Sequence, residues 1–160
     1  MKQLWAPWRS VYFDAPKGGG CIFCAANRNS LDLGLVLYSG PSSVVMLNKY
    51  PYNSGHLLIA PVRHTGSVED LSDAEGADMH RLLRVCVSAL TSAYVPHGFN
   101  IGMNVGVAAG AGIVDHLHTH VVPRWNGDSN FMPVLAEVRV MPEHLDEIYR
   151  RLKPYFDNIS

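Results

Sequence analysis

The 160-residue chain is short of charge, of cysteine and of long apolar runs, and each shortage removes a class of protein. Only 17% of its residues are charged and the formal net charge is −1, so there is no basic surface for a polyanion such as DNA or RNA. Three cysteines are too few for a disulfide framework and suit a reducing, cytoplasmic setting. No apolar run reaches membrane-spanning length, and the opening Met1-Lys2-Gln3-Leu4-Trp5 lacks the apolar stretch of a secretory leader. Neither nucleic acid nor membrane is therefore expected as a partner. A small phosphorylated ligand stays open, because a few donors suffice to bind it. With 48% hydrophobic residues the chain has the composition of a globular protein with one core.

Pattern divides the chain in three. Residues 1–30 read as an irregular arm in which Trp5, Trp8, Tyr12 and Phe13 are expected to dock on a surface, followed by Gly18-Gly19-Gly20 and Cys21-Ile22-Phe23-Cys24. Residues 31–135 form the main domain, and residues 136–160 a helical segment packed on it. Strands are expected over Leu35 to Ser39, Val44 to Leu47 and His56 to Pro61, separated by turn-rich segments. Ser72 and Glu75 make a capping box ahead of Met79, Leu82, Leu83, Cys86, Val87 and Leu90, which recur at helical spacing until Pro96-His97-Gly98. Two further strands, Phe99 to Val105 and His116 to Val122, flank the small-residue loop Gly106 to Gly112. Pro142 is placed to open a last helix carrying Leu145, Ile148, Leu152 and Tyr155. The order β-β-β-α-β-β-α with short connections predicts an α+β fold whose antiparallel sheet is covered by helix on one face.

The densest chemistry lies in Asp115-His116-Leu117-His118-Thr119-His120-Val121-Val122. In a strand, alternate side chains share a face, about 6.5–7 Å apart, so the three histidines emerge together while Leu117, Thr119 and Val121 turn into packing. Such a row can bind metal, bind phosphate or perform nucleophilic and acid–base chemistry near neutral pH. A neutral imidazole can attack phosphorus and give a phosphoramidate that a second nucleophile cleaves. The middle ring, His118, has a partner on each side and is the best nucleophile by position. Backbone N–H groups of the Gly106–Gly112 turn could approach phosphate oxygens.

Cys21 and Cys24 form a C-x-x-C, which serves equally as half a zinc site, as a redox pair or as two buried thiols. Other titratable groups invite structural readings. His80 and His144 fall on predicted helices facing solvent, His97 in the turn after the long helix, and Cys86 in the core. Asp115 suits a sheet edge or cap, and Arg124 either a phosphate contact or a surface salt bridge.

The histidine run resembles the signature of the histidine triad (HIT) family. The resemblance spans about Cys21 to Phe131 and includes Asn48, His56-Leu57-Leu58-Ile59-Ala60-Pro61, Asn104 and Pro123-Arg124-Trp125 in the family's order. It implies a five-stranded antiparallel sheet, paired across a homodimer into ten strands. It implies attack by His118 on an α-phosphate, His120 at the phosphate and leaving group, His56 supporting the cluster, and the main chain of His116 orienting His118. Asn48 resembles a ribose-binding position and Asn104 a polar contact near the phosphates, while Gly110 and Gly112 are nucleotide-binding candidates through the backbone of the small-residue turn. His64 and His116 match the positions that complete a structural zinc site with Cys21 and Cys24; no organic cofactor is implied. Gly112 stands where many HIT hydrolases carry glutamine, and the interval from Asn104 to His116 is one residue longer, so the phosphate-facing loop is remodelled. Leu4 to Arg9, Tyr50 to His56 and Pro96 to Asn100 look like the diadenosine tetraphosphate phosphorylase branch. A dinucleoside polyphosphate is thus the expected substrate, cleaved by phosphate or by water. A nucleoside phosphoramidase and a zinc-stabilised nucleotide binder with little turnover are the competing readings.

Overall fold

Five short strands make one antiparallel sheet in the computed structural model, which describes residues 20–27, 35–128 and 143–159. The expected docking of the aromatic arm and the helix start at Pro142 lie outside the described residues. In chain order the elements are α1 (Ile22–Asn27), β1 (Val36–Ser39), β2 (Ser43–Leu47), β3 (Leu57–Pro61), α2 (Asp73–Tyr94), β4 (Gly98–Met103), β5 (Thr119–Arg124) and α3 (Leu145–Leu152). The strands lie side by side as β1-β2-β3-β5-β4. The long helix α2 fills the excursion that carries the chain from β3 to the far edge. α1 is a short helix within the segment expected as an irregular arm.

Strand alternation sorts the side chains onto two faces. Val45, Leu47, Leu57, Ile59 and Val121 point to one side and pack against Met79, Leu82, Cys86 and Leu90 of α2 and Ile148 and Leu152 of α3. Val44, Met46, Leu58 and Ala60 point to the other side, where Phe23 and Ala26 of α1 cover them. His120 pairs across the sheet with Leu58 on β3 and Gly102 on β4, which puts its ring on this second face. β4 is an edge strand, and Ile101 and Met103 leave it exposed.

The strand expected over His116 to Val122 begins three residues later, at Thr119, and runs on to Arg124. The cause is in β3. Continuing the register beyond Ile59↔Thr119 would set Pro61 opposite Leu117, and proline has no N–H for the ladder. Instead the Pro61 carbonyl accepts the His116 ring, and the Leu117 N–H goes to the Thr65 carbonyl at 2.6 Å. His116 and His118 therefore sit in a strapped segment just before the strand. β4 similarly stops at Met103, leaving Asn104 and Val105 outside it.

The capping box of α2 forms as expected, with the Glu75 N–H on Ser72 Oγ and the Glu75 carboxylate on the Ser72 N–H. The helix ends on Val95, a β-branched residue held left-handed at φ 47°. His144 is the N-cap of α3 rather than a residue within it. No described helix is long and apolar enough to cross a membrane.

Candidate active site

Two pairs of histidines meet on the second face of the sheet, the side that α1 packs on. In the first pair, His116 Nε2 lies 2.8 Å from the Pro61 carbonyl. A carbonyl only accepts, so this nitrogen carries the proton and Nδ1 holds a lone pair. The same reasoning applies one step along. His118 Nδ1 lies 2.9 Å from the His116 carbonyl and must donate to it, which leaves the His118 Nε2 lone pair available for attack. Phe23, from within the C-x-x-C, packs on both rings with centroids 5.0 Å from each. Burial pushes both His116 and His118 below the ordinary histidine range, which favours the unprotonated rings.

His56 and His120 form the second pair, His56 Nε2 lying 3.0 Å from His120 Nδ1. The Tyr52 N–H donates to His56 Nδ1 at 3.0 Å, and the Asn48 amide nitrogen stands 3.3 Å from the same atom. The Tyr52 ring lies over both imidazoles, tilted on His56 at 4.7 Å and stacked on His120 at 5.8 Å. The two pairs join where His118 and His120 meet edge to face, ring centroids 4.9 Å apart. A nucleophilic nitrogen and a neighbouring ring that can contact the same phosphoryl group are thus adjacent.

Cys21, Cys24, His64 and His116 converge beside the first pair, every ligand atom within 4.8 Å of the others. His116 Nδ1 is 3.1 Å from Cys21 Sγ, 3.7 Å from Cys24 Sγ and 3.1 Å from His64 Nδ1, and Cys24 Sγ is 3.3 Å from His64 Nδ1. Tetrahedral zinc with thiolate and imidazole ligands needs edges of roughly 3.3–3.8 Å. The separations, from 3.1 to 3.7 Å with every pair inside 4.8 Å, lie near that range. The lone pair that Pro61 directs onto His116 Nδ1 points into the cluster, as a ligand must. The four residues could hold a metal ion, and with four protein ligands such a site would be closed and structural.

Several expected contacts resolve differently. Asn48 Oδ1 accepts the Tyr50 N–H at 2.9 Å while its nitrogen faces His56, so its amide is engaged within the loop. In the small-residue turn, the N–H groups of Ala109, Gly110 and Ala111 all close back on Gly106 or Val107; Gly112 lies beyond them, exposed. Arg124 is ion-paired with Asp128 at 2.6 Å and bonded to Asn100, the salt-bridge reading rather than the phosphate one. Asn104 follows β4, half-buried. Three positioning groups carry no signal of their own in the sequence. Phe23 was visible only as filler between cysteines, and Tyr52 only as part of a turn. Gly66 is a third: a Cβ there would meet the Val114 carbonyl at 2.5 Å, so only glycine lets the His116 segment pass this close.

A model of the HIT domain matches residues 34–127. The chain is 36% identical over 161 aligned residues to an AP-4-A phosphorylase of Mycobacterium tuberculosis, covering 95% of this chain and 83% of the relative. It is 28% identical to an adenosine 5'-monophosphoramidase of Schizosaccharomyces pombe, covering 83% and 98%. Among solved structures, a zinc-bound histidine triad family protein from Mycobacterium smegmatis superimposes with a TM-score of 0.69 at 30% identity, covering 86% of this chain and 93% of that one. The matched segment holds the whole sheet and His56, His116, His118 and His120, and the chain belongs to the HIT family.

Proposed function

We propose that this chain cleaves phosphoanhydride bonds in nucleotides through a nucleotidyl intermediate on His118, with a dinucleoside polyphosphate such as diadenosine tetraphosphate as substrate. The observation that carries this reading is the 2.9 Å bond from His118 Nδ1–H to the His116 carbonyl, which leaves the Nε2 lone pair for attack on a ring that meets His120 edge to face. Attack forms an N–P bond and expels the remaining phosphate chain, with His120 donating to the departing oxygens. Asn104 and Gly112 border the phosphate side; Asn48 and Gly110, engaged within their own loops, act there through the shape they give the site.

The Cys21, Cys24, His64 and His116 cluster supports a resident zinc ion, and the zinc-bound relative adds weight to it. Bound there, the ion would tie α1 and the loop after β3 to the segment whose carbonyl orients His118. Exposed Ile101 and Met103 on edge strand β4 favour a homodimer with a ten-stranded sheet. Free thiols at Cys21, Cys24 and Cys86 suit a cytoplasmic protein.

Incubation with diadenosine tetraphosphate, with and without inorganic phosphate, tests the reading. ADP plus ATP marks phosphorolysis and AMP plus ATP hydrolysis; no consumption under either condition sinks it. The 28% identity to a phosphoramidase supports a second reading, in which His118 attacks a P–N bond, and a panel of adenosine phosphoramidates separates the two.

A further inference from the structure

The loop between β2 and β3 determines which nitrogen of His120 carries its proton. A main-chain N–H can only donate, so the Tyr52 N–H, 3.0 Å from His56 Nδ1, requires a lone pair there. The Asn48 amide makes the same demand. Its oxygen accepts the Tyr50 N–H, which turns its nitrogen toward that atom at 3.3 Å. His56 must then keep its proton on Nε2 and donate across 3.0 Å to His120 Nδ1. His120, accepting at Nδ1, carries a single proton, on Nε2. A second proton on His120 Nδ1 would set two N–H groups against each other and break the arrangement.

We propose that Tyr52 is a positioning residue whose main-chain N–H, acting through His56, holds His120 as a donor with no lone pair toward the phosphate chain, so that an acceptor arriving as an anion, inorganic phosphate, resolves the intermediate in preference to water. The proposal rests on the reading of His118 as nucleophile. In the first step the His118 Nε2 lone pair bonds to the α-phosphorus. The P–O bond breaks and its electron pair leaves on the polyphosphate oxygen, which accepts a hydrogen bond from His120 Nε2–H. The acceptor then enters where that group left. An anionic phosphate oxygen attacks as it stands and returns the N–P pair to His118 Nε2. Water attacking there must lose a proton, and an Nε2–H ring has no lone pair to take it. Neutral imidazole acting as a hydrogen-bond donor is an established catalytic device.

Long-range nitrogen–proton NMR correlation on the nucleotide-free protein reads the tautomer directly. His120 is expected with its proton on Nε2; a proton on Nδ1, or on both nitrogens at neutral pH, overturns the proposal whatever the protein catalyses. Tyr52→Ala keeps the main-chain N–H and should keep both the tautomer and the ratio of phosphorolysis to hydrolysis. Tyr52→Pro combined with Asn48→Leu removes both donors that hold the lone pair on His56 Nδ1. It should mix the His120 tautomers and raise the hydrolysed share of diadenosine tetraphosphate by about tenfold or more, within the range of general-base effects. An unchanged ratio in the folded double variant, or a shift of equal size in Tyr52→Ala, overturns it. Failure of the wild-type protein to consume any nucleotide would sink the reading of His118, while the tautomer measurement would still decide what Tyr52 does to His120.

Discussion

At the scale of single residues, the site is governed by groups that can only donate or only accept. The His116 carbonyl leaves His118 one arrangement of its proton, and burial holds the ring below the ordinary value near 6.5. The sign follows directly. A depressed histidine stays unprotonated through neutral pH, so kcat/KM should be flat above about pH 7 and fall only on acidification below the ordinary histidine range. A pH–rate profile with its acid limb centred above pH 6.5 would contradict this. The same burial means that the unfolded chain takes up the proton first, so stability contributed by the neutral ring is present above pH 6.5 and is lost as pH falls. His118→Ala should abolish turnover by several orders of magnitude while nucleotide still binds, as equilibrium binding of a non-cleavable analogue would show.

At the scale of elements, two connections carry most of the constraint. The segment from Val114 to His118 is strapped to the loop after β3 by the Leu117 N–H to Thr65 bond and passes within 2.5 Å of where a Gly66 Cβ would stand. Gly66→Ala must push main chain aside, so it should cost roughly 1–3 kcal/mol by denaturant unfolding. It should also lower kcat, because the Val114 carbonyl it displaces belongs to the same short segment as the His116 carbonyl that orients His118. Loss of stability at unchanged kcat would show the segment to be less coupled than this. The end of α2 offers the opposite case. Val95 is exposed and left-handed at φ 47°, a conformation that glycine adopts without a Cβ penalty. Val95→Gly should therefore stabilise the protein by roughly 0.5–1 kcal/mol, the relieved strain outweighing the added unfolded-state entropy. A lower melting temperature would refute it.

At the scale of the molecule, the sheet separates two tasks. Among the described residues, one face packs against α2 and α3 and makes the main core, and the other carries α1, the Cys–His cluster and the histidines. α1 rests on the sheet through Phe23, Ala26 and Ile22, and the cluster joins its start to the loop after β3 and to His116. Removing a bound metal with a chelator should lower the melting temperature, since saturation at about 100 times the dissociation constant is worth about 2.7 kcal/mol. Activity should fall in parallel, because His116 contributes its ring to the cluster and its carbonyl to His118. Full activity in a protein shown by elemental analysis to be metal-free would refute the coupling.

Much of this was legible in the chain itself. The period-two and helical patterns gave the element order, the Ser72 and Glu75 pair gave the start of α2, and the alternating histidines gave the site. These features are local, set by dihedral periodicity within a few residues. The beginning of β5 was not legible, because it depends on Pro61 facing Leu117 across a pairing the sequence does not display. Nor was the part played by Phe23, Tyr52 and Gly66, whose importance arises from what lies against them rather than from their own chemistry. The sequence by itself determined which chemical groups are present and on which face of which element they fall. Only the tertiary structure decided which nitrogen of each ring carries a proton, because that depends on fixed donors and acceptors brought from 55 residues away, as Pro61 is to His116.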